Sequence, residues 1–390
     1  MINRVHFENF KSLANVTLDL GRFTVLVGPN GCGKSSVLQG MHLLSQTGLR
    51  RPVEQNKRLG RFSSIYSGPR APRRLMYRSS GEAMTLAMTN SGGDELRVAI
   101  AGTDAGNPRR FNVLVTVGPN NVLRCAIPLA AGSSTSTREK VFAVLDDDRI
   151  RRFVSVVYLH LDATKMVRTS LAAEERPRMD FDGEGLASVL AWMKGAAEDE
   201  LAQITSDLRR VVPGVRRIRT LRERVANRRM EKLDIDGQPV WRPVDESLIG
   251  DRFAIEFDDG SEVPADLLSE GTVLALGLLT KLREPKRPRL FLLDDVDRGL
   301  HLQAQVKLVQ ALRALMELDP ELQIVCTTHS PYLLDLFEPA EVRVLALDSE
   351  RRTHTRPLTE HPDFDKWKFG TQTGELWAAL GEAWVTGATG

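Results

Sequence analysis

A chain of 390 residues with 42% hydrophobic and 27% charged side chains has the proportions of a folded soluble protein, not of a disordered or collagen-like one. Its three separated cysteines make no disulfide framework, and no apolar run approaches the ~20 residues that span a bilayer. The formal net charge of +2 hides a division: Arg209 to Lys232 holds nine Arg and one Lys against Glu223 and Glu231, so the remainder is acidic.

Met1 to Phe7 alternates as a strand does and lacks the apolar core of a secretory signal, so a cytoplasmic, reducing setting is expected. Residues 1–27 predict two or three strands, the last being the β-branched run Phe23-Thr24-Val25-Leu26-Val27. Gly28-Pro29-Asn30-Gly31-Cys32-Gly33-Lys34-Ser35 follows, with two glycines five apart and then Lys and Ser. Ser36 to Leu44 continues with apolar residues at helical spacing, so the pattern has the strand–turn–helix context it requires. The glycines let successive N–H groups converge on an anion, and the helix N-terminus adds positive charge. Asn30, Gly31, Cys32, Gly33, Lys34, Ser35 and Ser36 are therefore candidate phosphate ligands. Lys34 is placed to reach β- and γ-phosphates, and the Ser35 hydroxyl to take a place on Mg2+.

Residues 46–80 are polar and Arg-rich, and Pro52, Pro69 and Pro72 forbid long regular elements there. Two hairpins are predicted next: Met84 to Met88 with Leu96 to Ile100, and Phe111 to Val117 with Val122 to Ile127. Together they imply an antiparallel sheet beside the main one. Ala130 to Thr137 reads as a flexible loop, and Arg152 to Leu159 as a buried strand. Leu186 to Met193 and Glu198 to Arg210 read as helices, ended near Pro213-Gly214. The Arg-rich stretch follows; Asp236-Gly237 marks a turn, and Phe253 to Phe257 a strand. In the last third, Leu268-Ser269-Glu270-Gly271-Thr272 opens the apolar helix Val273 to Leu282, and Leu290-Phe291-Leu292-Leu293 ends in Asp294-Asp295. A helix from Leu302 to Leu318 leads to the strand Leu322 to Cys326 and then to Thr327-Thr328-His329-Ser330-Pro331, where Ser330 caps a helix over Tyr332 to Phe337. This strand–helix–strand order implies a parallel sheet with the acidic pair and His329 at its carboxyl edge.

Asp294 stands where a carboxylate holds Mg2+ opposite Lys34 and Ser35, and Asp295 where one positions or activates the attacking water. The Arg cluster, with Arg216, Arg217, Arg219, Arg222, Arg228 and Arg229, is a candidate surface for a nucleic-acid backbone; a solvated helix face or partner-docking surface is the alternative. Nothing aromatic interleaves it before Trp241, so base stacking is not indicated. Trp367 to Val385 reads as an amphipathic helix packed on the core, with docking of a partner as the alternative.

The segments GPNGCGKSS, LLSEGT, LFLLDDVDRGLH and TTHSPYLLD, in that order, resemble the ABC-type ATPase heads of the SMC, RecF and OLD families, closest to the prokaryotic RecF/OLD-like group. Asn9-Phe10-Lys11-Ser12 is similar to the opening motif of that group, which marks Lys11 as a nucleotide-site residue. The resemblance covers residues 1–45 and 250–340 well. It implies an α/β P-loop NTPase of the ABC/SMC-head type, with an antiparallel β lobe and a helical insertion. The implied domains are an ATP-binding lobe (1–165), a helical and Arg-rich insertion (166–250), and a lobe carrying signature, acidic pair and switch histidine (251–390).

The resemblance also implies a homodimer of heads that sandwiches two ATP molecules with Mg2+, where Ser269, Glu270 and Gly271 of one copy face the phosphates held by the other. His329 would hydrogen-bond the γ-phosphate. Asp295 stands where the group usually has Glu, Val296 where it has Pro, and Glu270 where transporter subunits have Gly. Because Asp is one methylene shorter than Glu, slow hydrolysis is expected. Gln46 and Gln55 are the candidates for the glutamine that links Mg2+ to the helical lobe in such heads. The implied setting is DNA maintenance or defence against mobile DNA, with DNA as a possible ligand and no membrane. About 50 residues follow the switch helix, too few for a nuclease domain, so an effector (a nuclease or toxin-like protein) is expected on a separate chain. A non-catalytic, ATP-dependent scaffold that holds or inhibits a protein partner without DNA is the alternative. A transporter motor is disfavoured by the long separation of phosphate loop and signature.

Overall fold

The computed structural model describes residues 1–47, 75, 77, 83–100, 110–117, 121–128, 153, 155–171, 175–235, 238–284, 288–367 and 370–387. The loop expected over Ala130 to Thr137, the Asp236-Gly237 turn and Gln55 lie outside these residues, as does the Gln46 side chain.

In chain order, β1 (Ile2–Phe10), β2 (Leu13–Asp19) and β3 (Phe23–Val27) precede helix α1 (Lys34–Thr47). There follow β4 (Met84–Asn90), β5 (Glu95–Ile100), β6 (Arg110–Val117), β7 (Asn121–Pro128) and β8 (Val156–Leu159). Helices α2 (Leu186–Ala196) and α3 (Glu198–Val211) lead into β9 (Val215–Ile235), β10 (Gln238–Phe257) and β11 (Glu262–Pro264). Then come α4 (Glu270–Arg283), β12 (Leu290–Leu293), α5 (Leu302–Leu318), β13 (Gln323–Thr327) and α6 (Pro331–Leu334). β14 (Val342–Leu347), β15 (Thr353–Pro357), α7 (Phe364–Trp367) and α8 (Thr373–Leu380) complete the chain.

Two compact units result. The first comprises Met1–Tyr158, Pro288–Asp297 and Arg313–Gly390 and carries two six-stranded sheets. One sheet, ordered β2-β1-β4-β5-β6-β7, is antiparallel throughout, as the hairpin signals predict. The other is ordered β15-β14-β3-β13-β12-β8. In it β14, β3, β13 and β12 run parallel, which is why β3, β12 and β13 read as unbroken apolar runs: every residue in them is buried. Phe7, Phe10, Leu38, Met41, Leu86 and Leu292 belong to one continuous core of this unit. Gly40 of α1 is a contact glycine, since a Cβ there would stand 2.6 Å from the Phe7 ring.

The second unit comprises Leu159–Arg287 and Arg298–Leu312. The Arg-rich stretch is one strand of a long ribbon: β9 and β10 pair in register from Ile235↔Gln238 to Arg217↔Glu256. β-Branched residues in both strands, and Trp241, Phe253 and Phe257 in β10, favour this pairing. The strand expected at Phe253 to Phe257 is only the last part of β10.

Three further expectations are corrected. The strand read from Arg152 begins at Val156, and the helix read over Tyr332 to Phe337 is the single turn α6. The tail is no continuous helix, because Gly370 and Gly381 take positive φ (103° and 60°), which ends helical geometry and leaves α7, α8 and a 3-10 turn over Ala383–Thr386. Leu376 and Val385 are nonetheless buried, as a core-packing tail requires. Among the described residues no helix is long and apolar enough to cross a membrane.

Candidate functional site

The glycine turn between β3 and α1 takes its shape from three positive φ angles, at Gly28 (140°), Gly31 (79°) and Gly33 (106°). Two of these glycines are also fixed by their surroundings. A Cβ on Gly28 would lie 2.1 Å from the Leu345 carbonyl of β14, and one on Gly33 2.6 Å from Thr353 Oγ1 of β15. Thr353 ties the loop down: its N–H donates to the Ser12 carbonyl (2.8 Å), its hydroxyl donates to the Cys32 carbonyl (2.9 Å) and stands 2.8 Å from Ser12 Oγ. Asn30 and Gly31 are exposed, while Cys32, Gly33 and Lys34 are buried and Ser35 and Ser36 half-buried. The Lys34 ammonium donates to the carbonyls of Gly28 (2.7 Å) and Pro29 (3.0 Å). Burial lowers its pKa, and the carboxylates of Asp295 and Asp294 oppose that shift. Burial likewise pushes the Cys32 thiol up, which keeps it protonated and unreactive.

Opposite the loop, Asp294 ends β12 and is 8% exposed. Three hydroxyls converge on its carboxylate. Ser35 Oγ donates to Oδ1 at 3.0 Å, Thr327 Oγ1 donates to Oδ1 at 2.9 Å, and the Tyr158 hydroxyl donates to Oδ2 at 3.0 Å. Burial, with Asp294 next, raises the Tyr158 pKa, so the phenol remains a donor. The Gln39 side chain of α1 opposes the rise in the Tyr158 pKa, and the Lys11 ammonium donates to Gln39 Oε1. Lys11 thus reaches the carboxylate through two side chains, and it takes a left-handed backbone (φ 53°), as does Asn9 (φ 54°). The Ser35 hydroxyl and Asp294 carboxylate, held together beside a phosphate-type loop, are hard oxygen donors of the kind Mg2+ takes, so the residues present fit that ion.

Asp295 also adopts a left-handed conformation (φ 54°), uncommon outside glycine and a mark of a constrained site. Its N–H donates to Thr327 Oγ1 (2.8 Å), and the Val296 N–H donates to the Thr327 carbonyl (3.1 Å). His329 Nε2 lies 3.9 Å from Asp295 Oδ1. Ser330 caps α6 by accepting from the Leu333 N–H, as its sequence position predicts. The first unit therefore brings together Lys34, Ser35, Asp294, Asp295 and His329, with Lys11 linked to them. Tyr158, Gln39, Thr327 and Thr353 join the site without having been predicted.

The signature residues fold in the second unit. Ser269 caps α4, its Oγ accepting from the Thr272 N–H (3.3 Å). Gly271 is needed because a Cβ there would meet the Gly299 carbonyl at 2.6 Å. The Glu270 carboxylate lies 3.5 Å from Arg298 Nε in an exposed pair.

The β9–β10 ribbon carries its own neutralisation. Arg216, Arg217 and Arg219 lie 3.1, 2.6 and 3.3 Å from Glu256, and Arg219 is also 3.2 Å from Glu262. Arg217, ahead of Arg216 and Arg219, holds the Glu256 carboxyl below the usual carboxylate range. Arg222 is exposed and opposite Asp251 in register. The side chains of Arg228 and Arg229 lie outside the described residues. Trp241 and Met230, each 57% exposed, stand on the same face of the ribbon.

Residues 149–335 match the family described as an AAA domain, putative AbiEii toxin, Type IV TA system, and residues 1–85 match an AAA ATPase domain. Among curated proteins, an OLD nuclease from Thermus scotoductus is 41% identical over 44 residues, 11% of this chain and 8% of that protein. The Septu protein PtuA of Bacillus thuringiensis is 32% identical over 69 residues, 18% of this chain and 17% of that protein. The matched segments thus span a small part of these relatives. An SMC head bound to the C-winged helix domain of ScpA superposes with a TM-score of 0.54 at 13% identity, over 92% of this chain and 98% of that one. An Smc head with an extended coiled coil, bound to the C-terminal domain of ScpA derived from Pyrococcus furiosus, gives 0.51 at 12%, over 92% and 97%. These likenesses establish the fold: a P-loop NTPase of the SMC-head kind.

Proposed function

We propose that this chain, an SMC/OLD-like ATPase by fold and family match, binds Mg-ATP on the Gly28–Ser35 loop, pairs head to head with a second copy, and hydrolyses ATP slowly. The observation that carries the reading is the Ser35–Asp294 hydrogen bond of 3.0 Å, which sets a hydroxyl and a carboxylate side by side at the mouth of a three-glycine turn.

Position supports each proposed role. Loop N–H groups from Asn30 to Ser36 point at the phosphates, and Lys34 exchanges its two loop carbonyls for β- and γ-phosphate oxygens. Ser35 and Asp294 would hold the metal, which when bound would neutralise charge building on the phosphate oxygens. Asp295 orients a water and accepts its proton, while His329, 3.9 Å away, donates to the γ-phosphate. Ser269, Glu270 and Gly271 present the capped N-terminus of α4 to the nucleotide of the second copy. ATP then favours the paired state and its hydrolysis releases it, because phosphate contacts exist in only one of the two states.

The likeness to an OLD nuclease and to Septu PtuA supports a place in DNA maintenance or anti-phage defence, with a separately encoded effector. In this reading the ribbon meets the DNA backbone through Arg222, Arg228 and Arg229. Arg216, Arg217 and Arg219 serve mainly to bind Glu256. The shorter Asp295 favours a second reading, a scaffold that binds ATP to hold a protein partner without turnover. Sedimentation velocity of Asp295→Asn with Mg-ATP tests the core of the proposal: a dimer is expected, and a monomer that takes up no nucleotide would overturn it. ATP turnover with and without DNA separates the two readings.

A further inference from the structure

Asp294 offers two oxygens, and they are used differently. Oδ1 faces Ser35 and Thr327, whereas Oδ2 receives the Tyr158 hydroxyl at 3.0 Å. Tyr158 is 8% exposed at the end of β8, so this contact is made away from bulk water, where a hydrogen bond to a charged acceptor is strong. The chain of donors has one direction. The Lys11 ammonium donates to Gln39 Oε1 and the Tyr158 hydroxyl donates to Asp294 Oδ2, with the Gln39 side chain acting on the Tyr158 hydroxyl between them. Each member polarises the next toward the carboxylate.

We propose that Tyr158 is a positioning residue for Asp294, and that with Gln39 it forms a relay through which Lys11 of the opening Asn-Phe-Lys-Ser segment sets the metal affinity of the site. This deepens the ATPase reading and rests on it. Partners that hold a metal-binding carboxylate from behind fix its orientation and basicity, and losing one typically lowers metal affinity about 10–100-fold. Lys11 therefore acts on the metal site from a distance, through Tyr158 and Gln39.

The test uses the full chain and Mn2+ as the paramagnetic probe, titrated by EPR in the presence of ATPγS. Fluorescence of MANT-ATP in EDTA measures nucleotide binding without metal. Tyr158→Phe keeps the ring and loses only the hydroxyl. It is expected to raise the Mn2+ half-saturation about 10-fold while leaving metal-free MANT-ATP binding within about twofold. A merely structural tyrosine would move both readouts together, or neither. Gln39→Met is expected to shift Mn2+ in the same direction, and Lys11→Met to add nothing once Tyr158 is Phe, as members of one network are non-additive. The proposal is overturned if Tyr158→Phe and Gln39→Met both bind Mn2+ as wild type does while Asp294→Asn loses it. If the wild-type chain takes up no Mn2+ with ATPγS, the metal reading itself falls and takes the relay with it.

Discussion

The Thr327 hydroxyl donates to Asp294 Oδ1 at 2.9 Å while accepting from the Asp295 N–H at 2.8 Å. One side chain at the end of β13 thereby fixes both members of the acidic pair at the end of the neighbouring β12. The parallel register supplies the reason: Leu293 stands beside Cys326, so the residues that follow each strand meet. Thr327→Val keeps the shape and removes this hinge, leaving a buried N–H and a carboxylate oxygen without it. A loss of about 1–3 kcal/mol in folding stability is expected, measurable by urea denaturation, together with weaker ATP turnover. An unchanged denaturation midpoint would show that the acidic pair is held by other groups.

Asp295 limits turnover because its carboxylate is one methylene short, so Asp295→Glu should hydrolyse ATP faster. General bases contribute 10²–10⁴-fold when well placed, so a gain of at least about tenfold in steady-state phosphate release is expected. The same change should cost some stability, since Asp tolerates the left-handed backbone at this position (φ 54°) better than Glu does. Turnover that stays at the wild-type rate would remove the explanation from chain length.

The three loop glycines should rank by what surrounds them. A Cβ on Gly31 would meet nothing within 4 Å, so Gly31→Ala contends only with its φ of 79°, a cost of about 1–2 kcal/mol. Gly33→Ala must displace a threonine side chain at 2.6 Å, and Gly28→Ala must displace a backbone carbonyl at 2.1 Å. Melting temperatures should therefore fall in the order Gly31→Ala, Gly33→Ala, Gly28→Ala, with the last the least stable. A Gly31→Ala protein as unstable as Gly28→Ala would break the ranking.

What the sequence revealed and what it hid differ in kind. The phosphate loop, the acidic pair, His329 and the two antiparallel hairpins are local patterns, each complete within about twenty residues, and each folds as its pattern predicts. Tyr158, Gln39 and Thr353 belong to no such pattern, and Thr327, though it opens the segment that carries His329, shows its bond to Asp294 only in the fold. Tyr158 and Asp294 are 136 positions apart, and Thr353 and Ser12 are 341 apart, so only strand register brings them together. The β14–β15 hairpin that carries Thr353 did leave a signal, the alternation of Val342 to Leu347 followed by polar residues 348–352. The charge count over the ribbon was correct as arithmetic, yet the carboxylate that compensates it, Glu256, sits 39 residues beyond Arg217 on the opposite strand.

The β14–β15 turn gives the last prediction, because it sets where Thr353 meets the phosphate loop. Asp348 accepts from the Arg352 guanidinium (2.7 Å) and lies 2.9 Å from His354 Nε2, and its Oδ1 takes the N–H groups of Glu350 (2.9 Å) and Arg352 (2.8 Å). The hydrogen bond with His354 leads in holding its carboxyl well below the usual carboxylate range, with the Arg352 bonds adding to it. A carboxyl whose folded pKa is depressed adds stability above its unfolded value of about 3.9 and loses it progressively as the pH falls below that. Asp348→Asn should therefore melt lower than wild type at pH 7, with the difference narrowing below about pH 4. Because Thr353 backs Gly33, the variant should also bind MANT-ATP more weakly at neutral pH. A melting difference that stays constant from pH 7 to pH 3 would mean that the ionised carboxylate is not what holds the turn.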